Sequence, residues 1–319
     1  QYFGRPGLYG YDDDAERFAF FDFAVLELIS HLNIKPDVLQ LNDWQTALVP
    51  LLLQEESLIK AKTLFTINNL AYQGLFAYEV LKEIGIDSKY FTTDVLEFYN
   101  KVNFMKAAIA YSDAITTVSQ SYADEILTAS FGCGLDGFLR YHKNKLTGII
   151  NGIDNEHFTP SHDKLLEYPF ANLTEKKLNK KSYLKEKSLK GITKPLFIFI
   201  GRFTQQKGVD LLINSLEQIA SSDCNIAILG DGEEIYQEKI MKIVNEYDNI
   251  HFEFKYNEVL SHQMYAAADF LLMPSLFEPC GLNQMIAMSY GSIPIVHKVG
   301  GLKDTVHDYK LFDNKSSKG

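Results

Sequence analysis

Short apolar runs typical of β-strands alternate with helical patterns along most of this chain, and no other feature constrains its fold as strongly. The strand-like runs of the first half are residues 38–41, 63–67, 114–118 and 145–150. A helical pattern follows each of the runs in the second half, which are residues 196–200, 225–229, 250–254, 270–273 and 293–296. Strands that alternate with helices form parallel sheets with the helices packed on their faces. The sequence therefore predicts the α/β class.

The chain is long enough for two domains, since its 319 residues exceed what one ordinary core holds. Residues 159–194 interrupt the alternation, because they are rich in Lys and carry Pro160 and Pro169. We interpret this segment as the beginning of the second domain. The predicted domains are an N-terminal Rossmann-like domain over residues 1–157 and a C-terminal Rossmann-like domain over residues 158–319. The clearest helical patterns cover residues 14–32, 44–53, 102–111 and 175–189.

Charge and hydropathy exclude several classes of protein. The formal net charge of −10 argues against a broad surface for nucleic acid or anionic lipid, which needs a basic face. The most apolar stretch, residues 18–32, is broken by Asp22, Glu27 and His31, so it predicts an amphipathic helix and not a membrane span. We therefore expect neither a nucleic-acid nor a membrane partner. Any phosphate that binds must meet a local basic site.

Cysteine usage and the chain ends give two further expectations. The cysteines lie far apart without C-x-x-C spacing, which favours a reducing cytoplasm; they are Cys133, Cys224 and Cys280.

The chain starts at Gln1 without an initiator Met, and residues 1–10 are typical of the inside of a loop. Residues 316–319 end the chain directly after another loop. We expect both natural ends to be absent and each sheet to be incomplete at one edge because of this truncation.

Three loops of the second half carry glycines directly after predicted strands, where ligands bind in open α/β sheets. Strand 196–200 leads into GRFTQQKG, in which Arg202 and Lys207 lie beside a helix start and could bind an anion. Strand 270–273 leads into PSLFEPCGLNQ, residues 274–284, which contains Glu278 before a helix. Residues 299–302, VGGL, form the third loop. Together the loops predict a pocket for a nucleotide diphosphate.

Each loop alone has an ordinary explanation, because Gly after a strand is usually turn chemistry and an exposed Arg or Lys is usually a solvated charge. Their occurrence at successive strand ends favours the functional interpretation. Residues 230–232, Gly-Asp-Gly, lack the third glycine of the dinucleotide spacing. We interpret them as a turn.

Two loops of the first half carry residue types that bind sugars. Strand 38–41 ends near Asp43 and Trp44, and strand 63–67 ends near Asn68, Tyr72 and Gln73. Carboxylates, amides and aromatic rings suit sugar hydroxyls and apolar sugar faces. The alternative is structural, with Asp43 as the N-cap of a helix and Trp44 in the core. The residues of this half leave both possibilities open.

Seven motifs in order carry a resemblance to a known family. They are DWQT at 43, NNLAYQG at 68, FGCGLDG at 131, NGID at 151, GRFTQQKG at 201, PSLFEPCGLNQ at 274 and GGLKDT at 300. The series resembles that of bacterial glycogen synthases and plant starch synthases essentially from end to end. The resemblance implies the GT-B fold, in which two Rossmann-like domains face a cleft. It also implies retaining transfer of glucose from ADP-glucose to the nonreducing end of an α-1,4-glucan, with no metal and no other cofactor.

The resemblance also assigns roles to residues. It implies that five residues bind the diphosphate or the donor glucose and take part in catalysis: Arg202, Lys207, Asn151, Glu278 and Asn68. Further donor contacts are implied for Tyr256, which matches a tyrosine that stacks on adenine, and for Gly201, Cys280, Gly281, Leu282 and Asn283. It implies that four residues lie on the side that binds the acceptor: Asp43, Trp44, Tyr72 and Gln73.

Departures from the family pattern leave other functions open. The family usually has His where this chain has Asn68, which cannot carry a proton. The family's Lys-Gly-Gly-Leu loop near its N-terminus has no counterpart, so we expect the chain as it stands to be inactive. Two alternatives remain: a GT-B transferase with another sugar nucleotide, and a catalytically impaired protein that binds glucan or nucleotide. An NAD-dependent dehydrogenase is disfavoured because the dinucleotide fingerprint is absent.

Overall fold

The computed structural model describes residues 4, 5, 7–55 and 59–309, and the chain divides into two compact units. The first unit runs from Gln1 to Ile149 and the second from Ile150 to Gly319. This division comes earlier in the chain than the predicted boundary at residue 157. The physical reason is packing, since Ile153 and Phe158 lie against the core of the second unit.

The main sheet of the first unit has four parallel strands among the described residues, in the spatial order β1-β2-β6-β7. These strands are β1 (Val38–Asn42), β2 (Lys62–Ile67), β6 (Ala114–Thr117) and β7 (Leu146–Gly148). A small antiparallel sheet, ordered β3-β5-β4, lies between β2 and β6 in sequence. Its strands are β3 (Leu75–Phe76), β4 (Glu97–Phe98) and β5 (Lys101–Asn103). The strand predictions for this half are confirmed within a few residues.

The helices described in the first unit are short after the first one. They are α1 (Asp14–His31), α2 (Val49–Leu52), α3 (Val80–Glu83), α4 (Phe104–Tyr111), α5 (Gln120–Glu125) and α6 (Asp136–Tyr141). The predicted helix over residues 44–53 is broken into a 3₁₀ turn, Trp44–Thr46, and α2. The predicted helix over 102–111 begins only at Phe104, because Asn103 pairs in the small sheet and its side chain accepts a hydrogen bond from Lys106 N.

Asp22, which interrupts the apolar face of α1, is buried at 1% exposure. Its Oδ2 accepts a hydrogen bond from Leu48 N at 3.0 Å, and Leu48 directly precedes α2. Burial raises the pKa of Asp22 well above its ordinary range, against the backbone hydrogen bonds that lower it. One of the three polar residues that argued against a membrane span therefore joins two helices. None of the helices in the described ranges is long and apolar enough to cross a membrane.

The sheet of the second unit has five parallel strands among the described residues, in the order β10-β9-β8-β11-β12. The strands are β8 (Leu196–Ile200), β9 (Asn225–Gly230), β10 (Ile250–Phe254), β11 (Phe270–Met273) and β12 (Ile293–Val296). The predicted strand positions are confirmed. The strand order reverses between β8 and β11, which are direct neighbours. Ligands of doubly wound sheets bind at such a reversal, outside the carboxyl ends of the strands.

Helices cover this second sheet, and two apolar clusters pack against it. The helices are α7 (Leu173–Glu186), α8 (Val209–Ala220), α9 (Glu234–Val244), α10 (Glu258–Ala267), α11 (Asn283–Ser289) and α12 (Gly300–Thr305). α7 begins and ends slightly before the predicted range, because Asn172 accepts hydrogen bonds from Thr174 N and Glu175 N as its N-cap. Both units thus have the parallel α/β architecture that the sequence predicts.

Candidate functional site

The two loops that follow β8 and β11 meet at the reversal of strand order in the second unit. Phe197 and Ile198 of β8 pair with Phe270 and Leu271 of β11, so the two strands end at the same edge of the sheet. Leu276 N donates to Gln206 O at 2.9 Å and thereby joins the loops. The sequence predicted functional residues in both loops, and the strand order brings these loops together.

Lys207 and Glu278 form the charged centre of this region. Lys207 Nζ lies 2.9 Å from Oε1 and 2.7 Å from Oε2 of Glu278, and Ser275 Oγ donates to Oε2 at 2.9 Å. Glu278 is only 5% exposed. A carboxylate buried to this degree needs such partners, because an uncompensated buried charge is costly. The cluster therefore holds one cation and one anion in defined positions at the edge of the sheet.

Two glycines allow the loops to approach this closely. Gly208 has φ +69°, and a Cβ on it would lie 2.1 Å from Pro274 O. Gly300 has φ +44°, and a Cβ on it would lie 2.0 Å from Glu278 O. Neither position has room for a side chain, and both backbones adopt the left-handed region that favours glycine. The glycines that the sequence singled out therefore hold the loops after β8, β11 and β12 against one another.

Arg202 lies in the same loop as Lys207 and is exposed. Between them, Phe203 is buried, and its N–H donates to Asp231 O at 2.6 Å. The predicted turn after β9 thus packs beside the loop that carries both cations. This loop therefore carries two positive charges, an exposed guanidinium and a half-buried ammonium.

The loop before α11 uses its side chains for structure. Asn283 Nδ2 donates to Ile200 O at 2.6 Å, which ties the start of α11 to the end of β8. The Cys280 thiol is buried, and burial raises its pKa, while a backbone hydrogen bond from Asn151 acts in the opposite direction. Asn151 of the NGID motif therefore lies beside this loop. Leu282 is exposed, and Gly281 and Gly201 are partly buried.

Tyr256 lies in the loop between β10 and α10 and is 56% exposed. The next residue, Asn257, is the N-cap of α10 and accepts a hydrogen bond from Leu260 N. An exposed aromatic ring beside a fixed helix start is available for stacking on a planar ligand. The predicted contact with adenine stays a prediction.

Asp43 and Asn68 form a hydrogen-bonded pair in the first unit. Asn68 N donates to Asp43 Oδ1 at 2.8 Å, and Asn68 Nδ2 donates to Asp43 Oδ2 at 2.9 Å. Burial raises the pKa of Asp43, and the hydrogen bonds from Asn68 oppose this increase. The Asp43 carboxylate makes no capping hydrogen bond to the following 3₁₀ turn. Its backbone has φ +58°, and its N–H donates to Thr66 O.

Trp44 occupies a core position. It is 5% exposed, and its ring centroid lies 4.8 Å from that of Phe18 and 5.7 Å from that of Phe76. This burial agrees with the structural alternative, in which Trp44 is a core residue. A role on the acceptor side stays a prediction, and in this conformation the ring would act by supporting the neighbouring loop.

Tyr72 and Gln73 are neighbours with different exposure. Tyr72 is exposed, whereas the Gln73 side chain is buried and donates from Nε2 to Cys133 O at 3.1 Å. Gln73 Oε1 accepts a hydrogen bond from Asn103 Nδ2 at 2.6 Å. Gln73 therefore fixes the loop of the FGCGLDG motif, and Tyr72 is the residue of the pair that a ligand can reach.

The sequence did not predict two residues that hold candidate site residues in place. Ser275 binds Glu278, and its carbonyl oxygen also accepts a hydrogen bond from His297 Nδ1 at 2.8 Å. Asn103 caps α4 and holds Gln73. Ser275 lies inside the PSLFEPCGLNQ motif, whereas nothing in the sequence indicates Asn103, because its partner is distant in the chain. All three cysteines are free thiols.

Two families match the chain. The family described as "Starch synthase catalytic domain" matches residues 1–141, and the family described as "Glycosyl transferases group 1" matches residues 180–318. The two matches fall on the two units of the fold and leave the segment between them uncovered.

Curated relatives match nearly the whole chain. A glycogen synthase of Clostridium botulinum is 44% identical over 99% of this chain and 68% of its own length. A glycogen synthase of Geobacillus stearothermophilus is 44% identical over 97% of this chain and 66% of its own length. The chain thus spans about two thirds of the length of these relatives.

Solved structures resemble the chain as well. The catalytic domain of starch synthase IV from Arabidopsis thaliana, bound to ADP and acarbose, is 38% identical with a TM-score of 0.91, over 97% of this chain and 66% of that one. Sucrose-phosphate synthase from Thermosynechococcus elongatus has a TM-score of 0.62 at 19% identity, over 95% of this chain and 66% of that one, which is a likeness of fold alone.

Proposed function

The chain belongs to the starch and glycogen synthase family of glycosyltransferases, and we propose that it transfers glucose from ADP-glucose to the nonreducing end of an α-1,4-glucan with retention of configuration. The observation that carries the proposal is the pairing of Lys207 with Glu278 where the strand order of the second unit reverses. This is the position at which a doubly wound sheet binds a nucleotide. The similarity to a starch synthase bound to ADP supports the choice of nucleotide.

Arg202 and Lys207 bind the diphosphate in this proposal. Charge develops on the diphosphate as the bond to glucose breaks, and fixed cations stabilise that charge most in the transition state. A protein with a net charge of −10 needs such a local basic site to hold a dianionic donor. When the diphosphate takes Lys207 as its partner, the Glu278 carboxylate becomes free to accept hydrogen bonds from glucose hydroxyls.

The remaining donor contacts come from the loops around this centre. Asn151 lies beside the loop of Cys280 and holds the sugar with Glu278. Tyr256 is exposed and stacks on the adenine. Backbone N–H groups of residues 281–283 bind the distal phosphate at the start of α11. Retention follows if the acceptor hydroxyl attacks from the face that the diphosphate leaves, with the diphosphate accepting the proton.

The first unit supplies the acceptor side. Tyr72 is exposed and offers its ring to the apolar face of a glucose unit, while Trp44 and Gln73 support the loops from below. Asp43 and Asn68 offer a carboxylate and an amide to hydroxyl groups. The partners are therefore a nucleotide sugar and an α-glucan. A cytoplasmic location stays a prediction.

The test is incorporation of labelled glucose from ADP-glucose into glycogen by the complete protein that carries this chain. We expect Lys207→Ala to lower kcat/KM by about 10²–10³, as loss of a charge-stabilising group does. Lys190→Ala is the matched control, since Lys190 is an exposed lysine of the same unit that pairs with Asp248 on the surface. It should leave the rate unchanged. Competition with unlabelled UDP-glucose separates the two donors.

Two results would contradict the proposal. Binding of ADP-glucose without turnover in the parent protein would indicate a binding protein. Turnover that appears only in Asn68→His would show that catalysis was given up at this position. A preference of the parent for UDP-glucose would support the transferase activity but contradict the choice of ADP-glucose as the donor.

A further inference from the structure

Three side chains of types that can bind a metal ion lie close together in the second unit: His157, Glu258 and His262. One ligand atom from each lies within 4.8 Å of the others, and His157 Nε2 is 3.1 Å from Glu258 Oε1. Glu258 and His262 are one turn apart on α10, so they project from the same face of the helix. We propose that these three side chains bind a divalent transition-metal ion, with Zn²⁺ as the preferred occupant.

The tautomer of His262 is fixed by a buried network. His262 Nδ1 lies 2.7 Å from Asp163 Oδ2, which also accepts a hydrogen bond from the Tyr290 hydroxyl at 2.5 Å. Leu165 N donates to the other carboxylate oxygen at 2.9 Å. Because a carboxylate only accepts, Nδ1 must carry the proton, and the lone pair of a neutral ring is on Nε2. A carboxylate behind the second nitrogen is the usual arrangement of histidines that bind metals.

His262 Nε2 has no hydrogen-bond partner among the described residues, although the ring is only 1% exposed. A buried acceptor left without a partner destabilises the fold, because its hydrogen bond to water is lost and not replaced. The Phe158 ring stacks on His262 with centroids 5.0 Å apart and excludes water from one face. The free nitrogen belongs to the same cluster as His157 and Glu258. A metal ion between them would satisfy it.

The ligand set indicates which ion fits. Two imidazole nitrogens and one carboxylate oxygen are ligands that Zn²⁺ accepts, at about 2.0–2.2 Å each, with water in the fourth position. Ligands around a tetrahedral ion are about 3.4 Å apart by these distances, so the cluster must contract slightly. His157 and Glu258 have room to move, because their side chains are 43% and 58% exposed. Mg²⁺ and Ca²⁺ prefer oxygen ligands and fit this set poorly.

The ion would join two segments of the second unit. His157 follows the NGID motif that carries Asn151, and Glu258 lies two residues after Tyr256. A bound ion would therefore fix the segment around residue 157 to the start of α10 and stiffen both neighbouring loops. This inference concerns metal binding and stability, and it does not rest on the proposed glucosyl transfer.

The test is titration of the full chain with ZnCl₂ by calorimetry, together with Co²⁺ as a spectroscopic substitute. We expect one Zn²⁺ per chain and visible absorption bands typical of tetrahedral Co²⁺. His157→Ala and Glu258→Gln, both at exposed side chains, should each weaken binding by at least about tenfold. His162→Ala is the matched control, because His162 is exposed in the same segment and lies outside the cluster. It should bind Zn²⁺ like the parent.

Thermal unfolding gives an independent readout. Zn²⁺ should raise the Tm of the parent and of His162→Ala, and at the same Zn²⁺ concentration should raise the Tm of His157→Ala by less. Absence of saturable binding in the parent overturns the proposal. Equal Zn²⁺ affinity in the parent, His157→Ala and Glu258→Gln overturns it as well. Since no sugar nucleotide is present in these experiments, either outcome is separate from the result of the glucose-transfer assay.

Discussion

Lys207 Nζ contacts both carboxylate oxygens of Glu278, at 2.9 and 2.7 Å, and so joins the loop after β8 to the loop after β11. The two residues are far apart in the chain and meet because β8 and β11 are neighbours at the reversal of strand order. The pair is mostly buried, with side-chain exposures of 20% and 7%. In the proposed function a diphosphate that binds Lys207 would compete with Glu278, and the pair would link donor binding to the position of the carboxylate.

Removal of the lysine should destabilise the second unit. We expect Lys207→Met to lower the free energy of unfolding by about 1–3 kcal/mol, because Glu278 keeps only the hydrogen bond from Ser275. In Lys207→Met/Glu278→Gln the buried charge is gone, so the double variant should regain part of this loss. Urea unfolding of the parent, both single variants and the double variant measures the coupling. Additive effects, or an equal loss in Lys190→Met at the surface, would contradict the prediction.

Close approach of the loops makes Gly208 sensitive to substitution. Gly208→Ala should lower both stability and ADP affinity, because the new Cβ would lie 2.1 Å from Pro274 O and must push the loops apart. Gly85→Ala is the control: Gly85 has nearly the same φ, +72° against +69°, but nothing lies within 4 Å of its Cβ position. Both variants carry the backbone strain of about 1–2 kcal/mol. Equal stability losses in urea, with unchanged ADP affinity, would show that the contact with Pro274 is unimportant.

The hydrogen bonds from Asn68 to Asp43 should make the contribution of Asn68 to the free energy of unfolding depend on pH. Burial has already raised the pKa of Asp43, and loss of the amide in Asn68→Ala should raise it further. An acid with a raised pKa in the folded state loses stability as pH increases through the range between its unfolded and folded pKa values. Asn68→Ala should therefore cost more free energy of unfolding at about pH 7 than at about pH 4, where more of the carboxyl is protonated.

Asn69→Ala provides the control for this measurement. The Asn69 side chain accepts a hydrogen bond from Ala71 N and makes none to Asp43, so its cost should not change with pH. Urea unfolding of both variants at the two pH values decides the matter. A cost of Asn68→Ala that stays constant would mean that the amide does not stabilise the charged carboxylate.

Lys176 should make stability rise with pH. Burial lowers the pKa of Lys176 to about 7, although Nζ donates to Tyr265 O, Tyr290 O and Ser292 Oγ. Between this value and the pKa of about 10.4 in the unfolded chain, the unfolded state holds a proton that the folded state lacks. The parent should therefore gain stability relative to Lys176→Met as pH increases from about 6 to about 9, with a slope that approaches about 1.4 kcal/mol per pH unit.

Lys177→Met is the control for the same helix, because Lys177 is exposed and directly follows Lys176. The difference in free energy of unfolding between Lys177→Met and the parent should stay nearly constant over this pH range. Thermal or urea unfolding at several pH values gives both curves. A constant difference between the parent and Lys176→Met would show that Lys176 keeps its proton in the folded state.

Local patterns in the sequence determined the elements of this protein and the loops in which we expect its chemistry. The strand runs before residues 201 and 274 were visible because apolar residues repeat over a few positions, and Gly, Arg, Lys and Glu stood directly after them. Helix boundaries were less well defined, as in residues 102–111, where Asn103 pairs in a sheet that depends on distant partners.

Only the tertiary structure decided which of these residues meet. It placed Lys207 against Glu278, buried Trp44 among other rings, turned Asp43 toward Asn68, and aligned Asp163 behind His262. Each of these contacts joins residues that are distant in the chain, or a side chain whose exposure depends on its neighbours. The physical reason is that strand order and packing depend on the burial of whole faces, whereas periodicity reports only the face that a single element will bury.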